Sequence, residues 1–98
     1  MNWEKGNFLI TANENGDMVR HNVAGVISSV GKFDIGIHKA GGWVVTDIST
    51  GYQIRMCETQ KQAKSWVEEN QKMILKMLSK PQHEKHVEQV SSYPVIEA

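Results

Sequence analysis

The sequence predicts an α+β protein: an antiparallel sheet of four to five strands, a hairpin plus a three-stranded meander, with one long C-terminal amphipathic helix on one face. Two patterns support this fold class. Short alternating runs separated by turn residues extend to Glu58, and helical periodicity begins at Gln60. The 98 residues, 40% of them hydrophobic, suffice for a single core. We expect one compact domain over residues 1–80 and a polar, flexible tail over residues 81–98.

The first predicted element is a β-hairpin that turns at Asn15-Gly16. This dipeptide is the strongest short signal for a type I′ turn, which needs a positive φ at both central residues. A two-residue loop sets the register of one hairpin face, which pairs Ala12 with Val19, Ile10 with His21 and Phe8 with Val23. Because this face is apolar except for His21, we expect it to be buried and the opposite face to be half-solvated.

The stretch 23–30 fits two structures. Four apolar residues have helical spacing, with Asn22 as a cap and Gly31 as a stop: Val23, Val26, Ile27 and Val30. The same stretch is rich in β-branched residues and extends the preceding strand if a bulge forms at Gly25. The β-branched content slightly favours a strand.

Three consecutive strands are predicted after Gly31. Apolar residues alternate with polar or small ones over 33–38, and a turn at Ala40-Gly41-Gly42 leads to a strand over 43–48. After the turn Ser49-Thr50-Gly51, a strand over 52–57 is predicted by the alternation of Tyr52, Ile54 and Met56 with Gln53, Arg55 and Cys57. These strands form a meander.

A long helix is predicted from Gln60 to about Ser79. Thr59 and Gln62 have the spacing of a capping box, and Pro81 lies just beyond the end. One stripe is predicted to face the sheet: Ala63, Trp66, Val67, Asn70, Met73, Ile74, Met77 and Leu78. The opposite side carries Lys61, Lys64, Lys72, Lys76 and Lys80. Glu68 has the spacing to pair with Lys72.

The run from Gly42 to Ile54, followed by Glu58 to Val67, resembles a layout common in small phage and mobile-element proteins. A Trp-led strand, a Thr-Gly turn, another strand and a Thr-x-x-x-Ala helix start occur there in this order. This layout, about a third of the chain, is similar in outline to the arm-type DNA-binding domains of phage integrases. Those domains pack a three-stranded meander on a helix and contact DNA with a basic sheet, whereas the strands here are nearly neutral.

Candidate catalytic and metal-ligating residues each have a structural interpretation that we favour. Cys57 ends a strand, where a free cysteine usually packs as a small apolar residue. His83 and His86 are three apart rather than four, in a polar segment, which does not match a zinc motif. We expect Asp47 to hold the following turn through backbone hydrogen bonds, and His21 to be a core or rim residue. The sequence predicts no catalytic, cofactor or metal site.

The net charge and the composition of the chain limit where the protein can be located and which partners it can bind. Eleven basic and eleven acidic side chains give a net charge of zero, which provides no overall field for nucleic acid or a membrane. A single cysteine excludes an internal disulfide, and the sequence has neither a long apolar run nor a signal-like start. We expect a cytoplasmic protein.

These observations favour a small non-enzymatic protein-interaction module, a phage or prophage accessory factor that binds and modulates a host or phage protein as an inhibitor or adaptor. The predicted contact residues are Trp3, Leu75, Tyr93, Val95 and Ile96. Self-association is compatible with this function. The alternative is an arm-type nucleic-acid-binding domain that uses its sheet or the helix lysines Lys61, Lys64, Lys72, Lys76 and Lys80.

Overall fold

The computed structural model describes residues 1–96 and contains six strands and three helices in an α+β arrangement. In chain order the elements are β1 (Glu4–Glu14), β2 (Asp17–Val30), β3 (Phe33–Lys39), β4 (Trp43–Asp47), β5 (Tyr52–Cys57), α1 (Gln60–Glu69), α2 (Gln71–Leu78), α3 (Pro81–Val90) and β6 (Val95–Ile96). Residues 97–98, the end of the predicted tail, lie outside the described range.

The hairpin has the predicted register. Ala12 pairs with Val19, Ile10 with His21 and Phe8 with Val23. Asn15 and Gly16 have φ values of 54° and 89°, as the predicted turn requires. The stretch 23–30 is a strand, which confirms the favoured alternative. The bulge considered at Gly25 is absent, because the pairing of β1 with β2 runs without a register shift from end to end.

Five strands form an antiparallel sheet in the order β1-β2-β3-β4-β5, and β6 joins β2 in parallel. Strand β2 is long enough to pair with β1 over most of its length and with β3 near its end. The β6 pairing, Arg20 with Val95 and His21 with Ile96, occupies the opposite end of β2. The sheet therefore has one strand more than predicted, and that strand is parallel.

The five-stranded sheet is curled, so that β1 contacts the turn between β4 and β5. The Thr11 amide donates to the carbonyl oxygen of Gly51 (2.9 Å), and the Thr11 hydroxyl donates to that of Thr50 (2.6 Å). The curl lays Phe8 across β3, where a Cβ added to Gly36 would lie 2.5 Å from the Phe8 ring. The two faces of β3 are consequently both buried, one under the hairpin and one under the helices.

The single long helix predicted over 60–79 is wrong, because Asn70 separates α1 from α2. Asn70 has φ −117°, outside the helical range, and its side-chain amide donates to the carbonyl oxygen of Trp66 (2.7 Å). Asparagine side chains compete in this way for backbone partners and so interrupt helices. The predicted capping box of Thr59 and Gln62 is present.

The core lies between the helices and β3 and β4. It contains Val30, Phe33, Ile35, Ile37, Val45, Ala63, Val67, Ile74 and Leu78. The buried helix stripe is narrower than predicted, since Met73 and Met77 are 49% and 38% exposed. Helices α1 and α2 each bury two residues at i, i+4 spacing, Ala63 and Val67 in α1 and Ile74 and Leu78 in α2.

Strand β5 departs from strict alternation. Val45 pairs with Arg55 and Thr46 pairs with Gln53, so Ile54 is an extra, bulged residue. The bulge shifts the alternation, so that Ile54 and Cys57 pack against the core and Met56 is 47% exposed.

The predicted polar tail contains a helix, α3. Pro81 occupies the first turn, where its missing N–H costs nothing. His83, Val87 and Val90 are spaced as one helix face, and all three are at least half-buried, with Val90 only 1% exposed. This spacing was the available sequence signal for α3. Polar neighbours conceal it, because only two of the three residues are apolar.

Candidate functional site

An open groove lies between the edge strand β5 and helix α1. We call it the β5–α1 groove; it encloses about 1100 Å³ and is lined by Gly41, Gly42, Arg55–Thr59, Lys61, Gln62, Ser65, Trp66 and Glu69. Among the strands of residues 1–96, β5 pairs with β4 alone. One edge of β5 therefore has no strand partner.

The groove has an apolar floor. Trp66 is half-buried and packs against the core, as does Cys57. The Arg55 guanidinium lies 5.3 Å from the centroid of the Trp66 ring, a cation–π distance. A Cβ added to Gly42 would lie 3.1 Å from the carbonyl oxygen of Cys57, so this glycine allows the β3–β4 turn to lie close to β5. Trp66, predicted as core, is thus partly a surface residue.

Charges of both signs border the groove. Arg55 and Lys61 carry positive charges, and Glu58 and Glu69 carry negative ones. None of the four is in a salt bridge within the part of the chain that the structure describes. All four remain available to a bound molecule.

Cys57 lines the groove as a half-buried free thiol. The four histidines have other neighbours: His21 bonds to Glu14, His83 to Asp47, His38 packs on Phe8 and His86 packs on Tyr52. None of these contacts involves the thiol. Cys57 packs against the core, as the sequence predicted.

A second, smaller cleft lies between the β4–β5 turn and α3, and it is built around Asp47. One carboxylate oxygen accepts from the Ser49 amide (3.2 Å); the other accepts from the Thr50 hydroxyl (2.8 Å) and from Nε2 of His83 (2.7 Å). The predicted role of Asp47 in holding its turn is confirmed. His83, which we expected to be incidental, instead contacts this carboxylate and has its ring edge against Phe33.

Burial shifts the pKa of two groups. It raises the pKa of Tyr52, and neighbouring Tyr93 raises it further, while Arg20 lowers it slightly. It lowers the pKa of His38, whose Nδ1 atom is buried and has no hydrogen-bond partner in the structure.

The predicted protein-contact residues lie in separate places. Trp3 donates from Nε1 to Glu68 (3.3 Å) and packs on the core. Leu75, in α2, is 40% exposed and lies beside Gly31 of the β2–β3 turn. Val95 and Ile96 are 47% and 41% exposed in β6, and Tyr93, half-buried, precedes them. The β5–α1 groove contains none of them. Its local signal in the sequence was the last strand of the meander followed directly by a capped helix; the strand order that leaves β5 with a single partner was not predicted.

The predicted lysine face is divided by the helix break. Lys61 and Lys64 are on α1, whereas Lys72 and Lys76 are on α2 and Lys80 follows it. Within residues 1–96 none of the five forms a salt bridge. The predicted pair of Glu68 with Lys72 is absent, because Glu68 contacts Trp3 and the N-terminal amine.

The described residues contain no group of three or more His, Cys, Asp or Glu side chains arranged to hold a metal ion. No helix over residues 1–96 is both long and apolar enough to cross a membrane. The fold and the groove together define a small α+β domain with an open groove between its fifth strand and its first helix. Comparisons with protein-family models, curated proteins and solved structures found no match to this chain.

Proposed function

We propose that this chain is a small non-enzymatic protein-interaction module that binds an extended segment of a partner protein in the β5–α1 groove. The observation that carries the proposal is the unpaired edge of β5 beside a groove with an apolar floor. An extended segment that adds to such an edge gains main-chain hydrogen bonds, and its alternate side chains enter the groove.

The edge that is open to a partner is short. The bulge at Ile54 interrupts regular pairing with β4, and the Thr11–Gly51 hydrogen bond occupies the end of the β4–β5 turn, directly before β5. Arg55 to Glu58 remain, a stretch of about 13 Å at the usual rise per residue. We therefore expect the groove to recognise a short linear segment with an apolar residue over Trp66.

The partner class comes from the sequence resemblance. A likeness to small phage and mobile-element proteins suggests an accessory factor that acts in the cytoplasm on a host or phage protein, as an inhibitor or adaptor. The exposed residues of β6, Val95 and Ile96, and the exposed Leu75 offer additional contact area or a site for self-association.

Peptides that bind the full chain are selected from a random displayed library, and their affinities for the parent and for two variants are then measured. Met56→Asp introduces a negative charge at the groove, whereas Met73→Asp is the matched control, since Met73 has nearly the same exposure and lies outside the groove. We expect Met56→Asp to weaken binding about tenfold, typical for loss of an interface anchor, and Met73→Asp to change it less than about twofold.

Amide hydrogen exchange provides the second readout. A bound segment that forms an added strand should slow exchange at residues 55–58 and leave β1 unchanged. Failure to select any peptide, equal affinity of Met56→Asp and the parent, or protection confined to another strand would each contradict the proposal.

A second candidate function is nucleic-acid binding by the lysine face. The observation that favours it is that Lys61, Lys64, Lys72, Lys76 and Lys80 are free of salt bridges within residues 1–96. Phosphate contacts weaken steeply as salt rises, while a partly apolar protein interface weakens far less. Binding of a random-sequence duplex at 50 mM salt that is lost in a Lys64→Gln, Lys72→Gln double variant would favour this function.

A further inference from the structure

The cleft beside α3, which we call the α3 cleft, has the size of a small-molecule site. It encloses about 330 Å³ between the β4–β5 turn, the start of β5 and the junction of α2 with α3. Volumes from about 300 Å³ upward are typical of ligand-binding pockets. The cleft and the β5–α1 groove have no lining residue in common.

The cleft has an apolar wall and a polar wall. Ile54, Met77 and Leu78 supply the apolar surface. The polar surface includes the ammonium group of Lys80, the imidazole of His86 and the phenol of Tyr52. These groups can all donate hydrogen bonds, and Lys80 has no salt-bridge partner in the described part of the chain.

The one carboxylate that lines the cleft is already bonded. Asp47 is 2% exposed, and its two oxygens accept from Ser49, Thr50 and His83. Both of its oxygens are therefore engaged within the protein, and neither is free to accept from a cationic ligand. The polar groups that remain accessible favour a ligand with negative charge.

A further cation lies next to the cleft. Arg20 is close enough to Tyr52 to act on the ionisation of its phenol. The Nε atom of Arg20 is buried without a hydrogen-bond partner, and no salt bridge involves its guanidinium within residues 1–96. Arg20 thus adds to the positive potential around Tyr52.

We propose that the α3 cleft binds a small organic carboxylate, with the carboxylate held by Lys80 and His86 and the apolar body packed on Ile54 and Met77. Lys80 and the neighbouring Arg20 carry two positive charges and Asp47 carries one negative charge, a balance that matches a monoanion better than a phosphate dianion. The neighbouring apolar wall requires a ligand with a hydrocarbon part.

The test measures binding of octanoate to the full chain by isothermal titration calorimetry and by amide chemical shifts. We expect octanoate to bind and to shift resonances of Ile54, Met77 and His86. Lys80→Gln should weaken binding about tenfold, and Lys76→Gln, an exposed lysine of α2 outside the cleft, should change it less than about twofold. The neutral analogue 1-octanol should bind at least about tenfold more weakly than octanoate.

Three results would overturn the proposal: no octanoate binding at millimolar concentration, equal affinity of Lys80→Gln and the parent, or equal affinity for octanoate and 1-octanol. Inorganic phosphate that binds more tightly than octanoate would also overturn it. The α3 cleft is separate from the β5–α1 groove, so the Met56→Asp variant should bind octanoate as tightly as the parent does.

Discussion

Gly6 and Gly25 stand opposite each other in the hairpin, yet their surroundings differ. A Cβ on Gly25 would overlap the carbonyl oxygen of Ile37, a backbone atom of β3, and would also touch the Phe8 ring. A Cβ on Gly6 would meet the end of the flexible Ile27 side chain at 2.9 Å. The close approach at Gly25 lets the hairpin fold over β3.

We predict that Gly25→Ala destabilises the fold by about 3 kcal/mol, the upper part of the range for overpacking, because the backbone of β3 must move. Gly6→Ala should cost less than about 1 kcal/mol, since Ile27 can change rotamer. Urea denaturation of both variants measures this difference. Equal stability of the two variants would show that the hairpin does not approach β3 as described.

We expect His38 to make the free energy of unfolding dependent on pH. Because burial lowers its pKa in the folded state, the unfolded chain takes up a proton first, near pH 6.5, and stability is lost as the pH falls below that value. His38→Leu should remove this loss, at most about 1.4 kcal/mol per pH unit, whereas His21→Leu on the hairpin should retain it. The free energy of unfolding between pH 7 and pH 5 tests this; an unchanged slope in His38→Leu would contradict it.

At the scale of elements, α3 is held by a buried polar contact as well as by Val90. The Asp47 and His83 side chains are 3% and 11% exposed, and they join the sheet to the first turn of α3. Removing one partner from such a pair leaves the other buried without compensation.

His83→Ala should therefore destabilise the protein by about 3 kcal/mol, the lower part of the range for a broken buried pair. His86→Ala is the matched control, since His86 is exposed on the same helix, and we expect it to cost less than about 1 kcal/mol. Thermal denaturation measures both. A His83→Ala variant as stable as His86→Ala would mean that α3 is not anchored through Asp47.

At the scale of the whole molecule, the C-terminal segment contacts the sheet through α3 and β6. Deletion of residues 81–98 removes His83, which contacts Asp47, together with the buried Val90 and the pairing of β6 with β2. We expect the melting temperature to fall by roughly 15 °C, as a loss of about 3 kcal/mol implies for a domain of this size. Deletion of residues 95–98 alone should lower it by only a few degrees. An unchanged melting temperature after the longer deletion would indicate an independent tail.

The sequence by itself determined the features that depend on near neighbours. The hairpin register follows from the Asn15-Gly16 turn, the start of α1 from the Thr59 and Gln62 capping box, and the meander from its alternating residues. Each is decided by turn chemistry, capping or periodicity within a few positions. The α+β class follows from the same local rules, whereas the order of the strands, and with it the unpaired edge of β5, does not.

Only the tertiary structure decided the contacts between distant parts of the chain. Asp47 and His83 are 36 positions apart, and Thr11 and Thr50 are 39 apart. Neither pair has a local signature, because the pairing depends on how the sheet curls and on where α3 packs. The bulge at Ile54 also has no local signature in the sequence. The α3 cleft joins residues 47–54 to residues 77–86, whose proximity depends on long-range packing, whereas the β5–α1 groove is formed by residues 41–69, which are near one another in sequence.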